Sequence, residues 1–234
     1  MITMKFIERE NETLRIIEKL KNADLDFIVV GGHAVSGLAR HRFSVDLDLV
    51  IREDQLKEFK KILEKEGYVK KVEKRGIDEL YGGWFESYVK KINGLPVTVD
   101  LLVGSLVSRG TDASWSFNYL KENSTTANIS GTELSVVGQV PERELLIAFK
   151  LHSMRRADIR DIIMLREGAE WEKILEHVER GNLKRLKDQI SRAIAILEER
   201  TLVDSLKGVF SLGFDVSNQI KMTQKEMKKL VKRL

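Results

Sequence analysis

Residues 27–51 read FIVVGGHAVSGLARHRFSVDLDLVI, and the fold turns on how this stretch is parsed. Asp26–Val30 is a short apolar strand that stops at Gly31-Gly32, and residues 33–39 suit a short helix. Val45, Leu47, Leu49 and Ile51 then alternate with Ser44, Asp46, Asp48 and Val50, which is the period of a strand. The parse is strand, glycine turn, helix, strand. Side chains at i and i+2 of a strand share a face, with Cα atoms about 7 Å apart. Asp46 and Asp48 therefore point the same way, and the opposite face is apolar. Aspartate is depleted in strands, and close carboxylates repel and raise each other's pKa. A divalent cation accounts best for such a pair, because Mg²⁺ takes oxygen ligands from one or two carboxylates plus substrate phosphates. The plainer reading is a solvated strand face that carries acids.

Gly31-Gly32 precedes these acids by a fixed interval, with thirteen residues between Gly32 and Asp46. Glycine lets backbone approach a phosphate, and the helix that follows offers amide donors. Further along, Asn93-Gly94 signals a hairpin between strands at Trp84–Ile92 and Pro96–Val103. Asp100 repeats the acid-on-an-apolar-strand pattern. If its strand neighbours that of Asp46 and Asp48, three carboxylates converge, and three acids can hold two metals for an in-line displacement at phosphorus.

Outward from this centre, residues 8–22 and 53–66 carry helical periodicity, and a strand is expected near Tyr68–Val72. Residues 104–123 read as a loop plus a short element, and Gly131-Thr132 suits another hairpin. After Pro141 the pattern is helical, over 142–154, 158–167, 170–180, 183–199 and 201–210. Thr223 and Glu226 form a capping-box pattern that opens a basic helix to Leu234. From pattern alone, a mixed α and β region over residues 1–138 gives way to a helical domain over 139–234.

Composition bounds the chemistry. The 234 residues are 42% hydrophobic, enough for a large domain or two small ones. The net charge of +4 and pI near 9.1 permit contact with nucleic acid without demanding it. Cysteine is absent, which excludes disulfides and thiolate metal sites. No segment approaches the roughly 20 apolar residues of a membrane span and the first residues lack a signal-peptide core, so a cytoplasmic protein is expected.

Gly-Gly, a spacer, Asp-x-Asp and a third Asp on a later strand resemble the DNA polymerase β-like nucleotidyltransferase superfamily. The stretch GGHAVSGLARHRFSVDLDLVI, with Arg42, Ser44, Asp46 and Asp48, is similar to the AbiEii/MenT-type, toxin-like group. PERELLIAFKLHSMRRADIRDIIML resembles that group's helical motif, with Lys150, Arg155, Asp158 and Asp161 in its Lys, Arg, Asp and Asp positions. Ala157 stands where a basic residue often precedes the first Asp of that motif. The resemblance covers roughly residues 25–165 and implies an α+β fold, a small mixed sheet with flanking helices followed by a C-terminal helical domain. It implies transfer of a nucleoside monophosphate from an NTP to a hydroxyl acceptor, with release of pyrophosphate. It implies that Asp46, Asp48 and Asp100 are catalytic and ligate Mg²⁺ (or Mn²⁺). Gly31, Gly32, Arg42, Ser44 and Lys150 would face the nucleotide, with Arg155, Asp158 and Asp161 in support. The implied acceptors are an RNA or tRNA end, a protein hydroxyl or a small molecule, and an antitoxin protein is an implied partner.

Several residues carry two readings from sequence. Lys150 either contacts phosphate or snorkels from an apolar helix. Arg42 pairs with the acids or with phosphate, and Asp158 either supports Lys150 or caps a helix. Trp84 and Tyr88 stack a base or pack in the core. His33 and His152 read as local structure, and the terminal lysines as a solvated helix face or an RNA contact. Two other functions compete: a binding protein that keeps the fold without catalysis, and a glycosyltransferase using Asp46 and Asp48 on a nucleotide sugar.

Overall fold

The computed structural model describes residues 2–234, with side chains from Met4 onward. The chain divides into two compact units, Met1–Val107 with Ser114–Pro141, and Ser108–Ala113 with Glu142–Leu234.

The first unit is built on a five-stranded sheet. Its strands are β1 (Phe27–Val30), β2 (Asp46–Ile51), β3 (Val69–Lys74), β4 (Trp84–Ile92) and β5 (Leu95–Val103), in the order β1-β2-β5-β4-β3. The central β2–β5 pair is parallel and the remaining pairs are antiparallel. Asn93 and Gly94 both have positive φ, 52° and 78°, which is the backbone a two-residue hairpin with right-handed twist requires. One face of the sheet is apolar: Leu47, Leu49, Ile51, Val97, Val99, Leu101 and Val103 are fully buried. Helices α1 (Ile2–Asn22) and α3 (Leu56–Lys65) lie on that side, where Phe27 meets Phe59 edge to face, Glu12 pairs with Lys90, and Lys60 pairs with the buried Glu86. Trp84 and Tyr88 pack into this same core, and Tyr88 Oη donates to Glu86 at 2.7 Å. They stand on the side away from the acids, so neither stacks a substrate base there.

Helix α1 begins at Ile2, well before the expected residue 8, and its residues Arg9, Glu10 and Thr13 are buried and hydrogen-bonded. Glu10 accepts from His41 and from the amide and hydroxyl of Thr132, each at 2.7 Å. Thr132 lies in the turn between β8 (Ser124–Ser130) and β9 (Ser135–Pro141), the hairpin expected at Gly131-Thr132. The poorly patterned stretch 104–123 resolves into a two-stranded sheet, β6 (Ser105–Ser108) with β7 (Ala113–Ser116), and the short helix α4 (Phe117–Glu122), capped by Ser116. Trp115 is its buried anchor.

The second unit is helical: α5 (Arg143–Ser153), α6 (Arg156–Leu165), α7 (Trp171–Val178), α8 (Leu183–Ile196), α9 (Thr201–Phe210) and α10 (Ser217–Arg233). One expectation fails here. Thr223 does not open the last helix; α10 starts at Ser217, and the Thr223 hydroxyl is buried inside it, donating to the Gln219 carbonyl at 2.8 Å. Ile220, Met227 and Leu230 form one buried stripe across the supposed start, and tertiary burial of that stripe outweighs a local capping pattern. No helix among the described residues is long and apolar enough to cross a membrane.

Candidate active site

The acids lie on the sheet face opposite the core. In the parallel pair, Asp48 is the direct neighbour of Asp100, and Asp46 pairs with Thr98. Adjacent strands run about 4.8 Å apart, so the backbone brings the three carboxylates to one patch. Each is engaged locally. Thr98 Oγ1 donates to Asp46 Oδ1 and Ser87 Oγ to Asp100 Oδ1, both at 2.6 Å, while Asp48 lies against the backbone of Gly31. Burial pushes the Asp100 carboxyl above its usual range and the charge of Asp46 adds to this, against the opposing effect of the Ser87 hydrogen bond and Lys71. Oxygen donors with surplus negative charge fit a hard divalent cation. As their side chains stand, no three His, Asp or Glu residues among those described are gathered closely enough to hold one.

The glycine pair is shaped by this patch. Gly31 and Gly32 are the first residues of α2 (Gly31–Leu38), the helix expected from residue 33. Gly31 has φ +67°, and a Cβ on it would run into the Asp48 carboxylate. A Cβ on Gly32 would meet the Arg42 guanidinium and the Ser44 side chain. Glycine is therefore required at 31 by both its backbone and the packed Asp48, while at 32 a side chain would displace Arg42 and crowd Ser44. Ser36 of α2 fixes the segment carrying Arg42: the Arg42 amide donates to Ser36 Oγ at 3.0 Å, and Ser36 Oγ donates to the Arg42 carbonyl at 3.2 Å. Ser44 in turn donates to the Asp46 carbonyl at 3.1 Å. Gly31, Gly32, Arg42, Ser44, Asp46, Asp48 and Asp100 thus form one neighbourhood in the first unit. Ser87 and Thr98 complete it. Sequence reading missed both, because each is an ordinary strand residue until its register against an aspartate is known.

Lys150, Arg155, Asp158 and Asp161 form a separate cluster within the second unit. Lys150 Nζ lies 3.0 Å from Asp158 Oδ1 and 2.9 Å from Asp161 Oδ2, with only 6% of its side chain exposed. Arg155 Nε and its backbone amide both reach Asp158 Oδ2 at 2.9 Å. Asp158 is therefore the third residue of a capping box and an ion-pair partner at once. Burial alone would raise its pKa, but Lys150 and Arg155 outweigh that and hold it below the usual range. The two cations match the two carboxylates, and Lys150, as placed, joins α5 to α6.

His33 and His152 are buried and hydrogen-bonded within the fold. Thr13 Oγ1 donates to the Glu10 carbonyl at 2.7 Å, so at 3.0 Å from His33 it accepts, and His33 carries its proton on Nε2. His152 donates from Nε2 to the Val178 carbonyl and accepts from Thr111 on Nδ1. Burial lowers both pKa values to about 4. A histidine lowered in the folded state supports stability above its unfolded pKa of 6.5 and loses that support as pH falls toward 4. The swing is on the order of 3 kcal/mol for a fully buried histidine. The melting temperature should fall steeply between pH 6.5 and 4, and His33→Gln, whose amide can still donate to Thr13, should flatten the curve; a wild-type profile that is level over this range would refute the assignment.

Comparison with known families places the chain as a whole. The family described as uncharacterised nucleotidyltransferase matches residues 2–197. The chain belongs to this family. The superfamily expected from the acid pattern is thereby established, and transfer of a nucleoside monophosphate is its general reaction. No curated protein matches the chain in sequence. Among solved structures, this nucleotidyltransferase family member is similar to JHP933 from Helicobacter pylori, at 17% identity and a TM-score of 0.48, over 96% of this chain and 91% of that one. An antigenic nucleotidyltransferase-like protein from Paracoccidioides brasiliensis is 17% identical, with a TM-score of 0.48, over 88% and 97% of the two chains. The antibiotic-resistance factor ANT(2″)-Ia is 16% identical, with a TM-score of 0.40, over 86% and 92%. The family assignment rests on the sequence match.

Proposed function

We propose that this protein is a Mg²⁺-dependent (or Mn²⁺-dependent) nucleotidyltransferase that moves a nucleoside monophosphate from an NTP to a hydroxyl acceptor and releases pyrophosphate. The observation that carries the proposal is the β2–β5 register, which sets Asp48 beside Asp100, with Asp46 on the same face and the glycine-opened helix at its edge. Asp46, Asp48 and Asp100 are the residues that would hold the metal. Bound there, the metal supplies charge neutralisation for the triphosphate and for the developing charge at phosphorus. The open N-terminus of α2 and the Arg42 guanidinium attract the phosphates. Asp100, with its raised pKa, takes the proton of the acceptor hydroxyl as that oxygen bonds to the α-phosphorus. The bond from the α-phosphorus to the bridging oxygen breaks, and pyrophosphate leaves.

The acceptor favoured by the mild positive charge is an RNA or tRNA end, which also suits the AbiEii/MenT-type, toxin-like reading with an antitoxin partner. A protein hydroxyl and a small molecule are the other acceptors. Family membership favours transfer at phosphorus over sugar transfer, and retention of all three acids favours an enzyme over a binding protein that only keeps the fold.

The test is incubation with each α-labelled NTP, Mg²⁺ and total RNA, beside an Asp46→Ala/Asp48→Ala variant. The expected result is label in RNA with the wild type and none with the variant. Failure of the wild type to bind any NTP with Mg²⁺ overturns the enzyme reading.

A further inference from the structure

Strand β3 pairs with β4 at Val69↔Val89 and Lys70↔Tyr88, then resumes at Val72↔Ser87. Lys71 is an extra residue, a β-bulge, and a bulge re-aims the side chains that follow it. Lys70, before it, lies opposite Tyr88 on the core side and pairs with Glu73. Val72, after it, lies opposite Ser87, the residue that donates to Asp100. Lys74 lies opposite Phe85, on that same acid-bearing side. Lys71 also acts electrostatically on Asp100.

Four basic residues occupy this strand end. Lys70 and Arg75 both pair with Glu73, and Arg75 also lies over the Trp84 ring at 4.6 Å. Lys71 and Lys74 are exposed and, among the described residues, their ammonium groups have neither an ion pair nor a hydrogen bond. The cations of this strand end that lie toward the carboxylates are thus the ones left unpaired.

Strand order sets what they can reach. The glycine turn follows β1, the acids are on β2 and β5, and the lysines are on β3 at the opposite edge. Four strand spacings separate β1 from β3, about 19 Å, whereas β5 and β3 are about 10 Å apart. A triphosphate at the glycine turn lies beyond the lysines' reach, and they flank the acids on the side left for the acceptor. A lysine ammonium serves phosphate as a point charge, and two of them along one strand suit a chain of phosphates.

We propose that Lys71 and Lys74 bind the backbone phosphates of the acceptor, which is accordingly the 3′ end of a single-stranded nucleic acid. This rests on the nucleotidyl-transfer reading of the acid patch. A protein hydroxyl or an uncharged small molecule would leave both lysines without a role beyond keeping an edge strand soluble.

The test uses the full chain and a 5′-fluorescein single-stranded oligoribonucleotide with a free 3′ hydroxyl, titrated by anisotropy between about 50 and 200 mM salt. Lys71→Gln/Lys74→Gln should weaken RNA binding at least ~10-fold and flatten the log–log salt slope by about 1.4, or ~0.7 for each phosphate no longer neutralised. Lys71→Arg/Lys74→Arg should restore both, and Mg²⁺·NTP affinity should stay within about twofold throughout. Equal RNA binding by wild type and the Gln pair overturns the inference, as does absence of RNA binding by a wild type that binds NTP. Label that passes to a protein side chain equally well in both proteins also overturns it. Absence of Mg²⁺·NTP binding by the wild type is the distinct result that brings down the transfer reading itself.

Discussion

Asp100→Asn is expected to abolish most nucleotidyl transfer while making the free protein more stable. The loss of rate should be on the order of 10²–10⁴-fold, the range for removing a positioned acid–base group. Asparagine keeps the shape and can still accept from Ser87, so the local fold persists. What it removes is a charge held at a cost. Burial first, and then Asp46, raise the Asp100 pKa above its unfolded value. For such a carboxyl, the stabilising balance is complete below the unfolded pKa and is lost as pH rises through the raised folded value. At neutral pH the ionised Asp100 therefore weakens the fold, and its neutral replacement should raise the melting temperature. Mg²⁺ with NTP should stabilise the wild type by linkage and the variant much less. Thermal melts with and without Mg²⁺·NTP, beside single-turnover assays, check all of this. A variant that is less stable than wild type and retains transfer would remove Asp100 from the site.

Lys150→Met should cost about 3–5 kcal/mol of stability, the usual consequence of breaking a buried ion pair from one side. Asp158 would keep Arg155, but Asp161 is fully buried and would lose its ammonium partner. Adding Asp161→Asn to Lys150→Met should recover part of the loss, because it removes the buried charge that Lys150 had balanced; urea unfolding of the four proteins in a double-mutant cycle measures the coupling. The same variant decides between the two sequence readings of Lys150. A loss below about 1 kcal/mol, accompanied by a large fall in NTP affinity, would make it a phosphate contact after all.

Much of this organisation is legible in the chain because it is local. Alternation by two puts Asp46 and Asp48 on one face, and Asn93-Gly94 needs only its own two φ angles to turn a hairpin. The helices after Pro141 are announced by apolar stripes. Reading failed where a local pattern competed with burial: Thr223 with Glu226 looks like a helix start, yet the stripe from Ile220 to Leu230 carries the helix straight through it. It also failed where no pattern exists, as in residues 104–123, whose short elements depend on anchors such as Trp115.

The sequence by itself determined the acid face of β2, the glycine pair before it and the change to an all-helical region near residue 139, since each follows from spacing along a few residues. Only the tertiary structure decided that Asp100 neighbours Asp48, that Ser87 and Thr98 serve the acids, that Gly31 must lack a side chain for Asp48, and that Lys150 is enclosed between two carboxylates. The physical reason is register. A parallel pair joins segments far apart in the chain, a slip of one residue would send Asp100 to the core, and a single bulge at Lys71 turns Lys74 to the side of the acids.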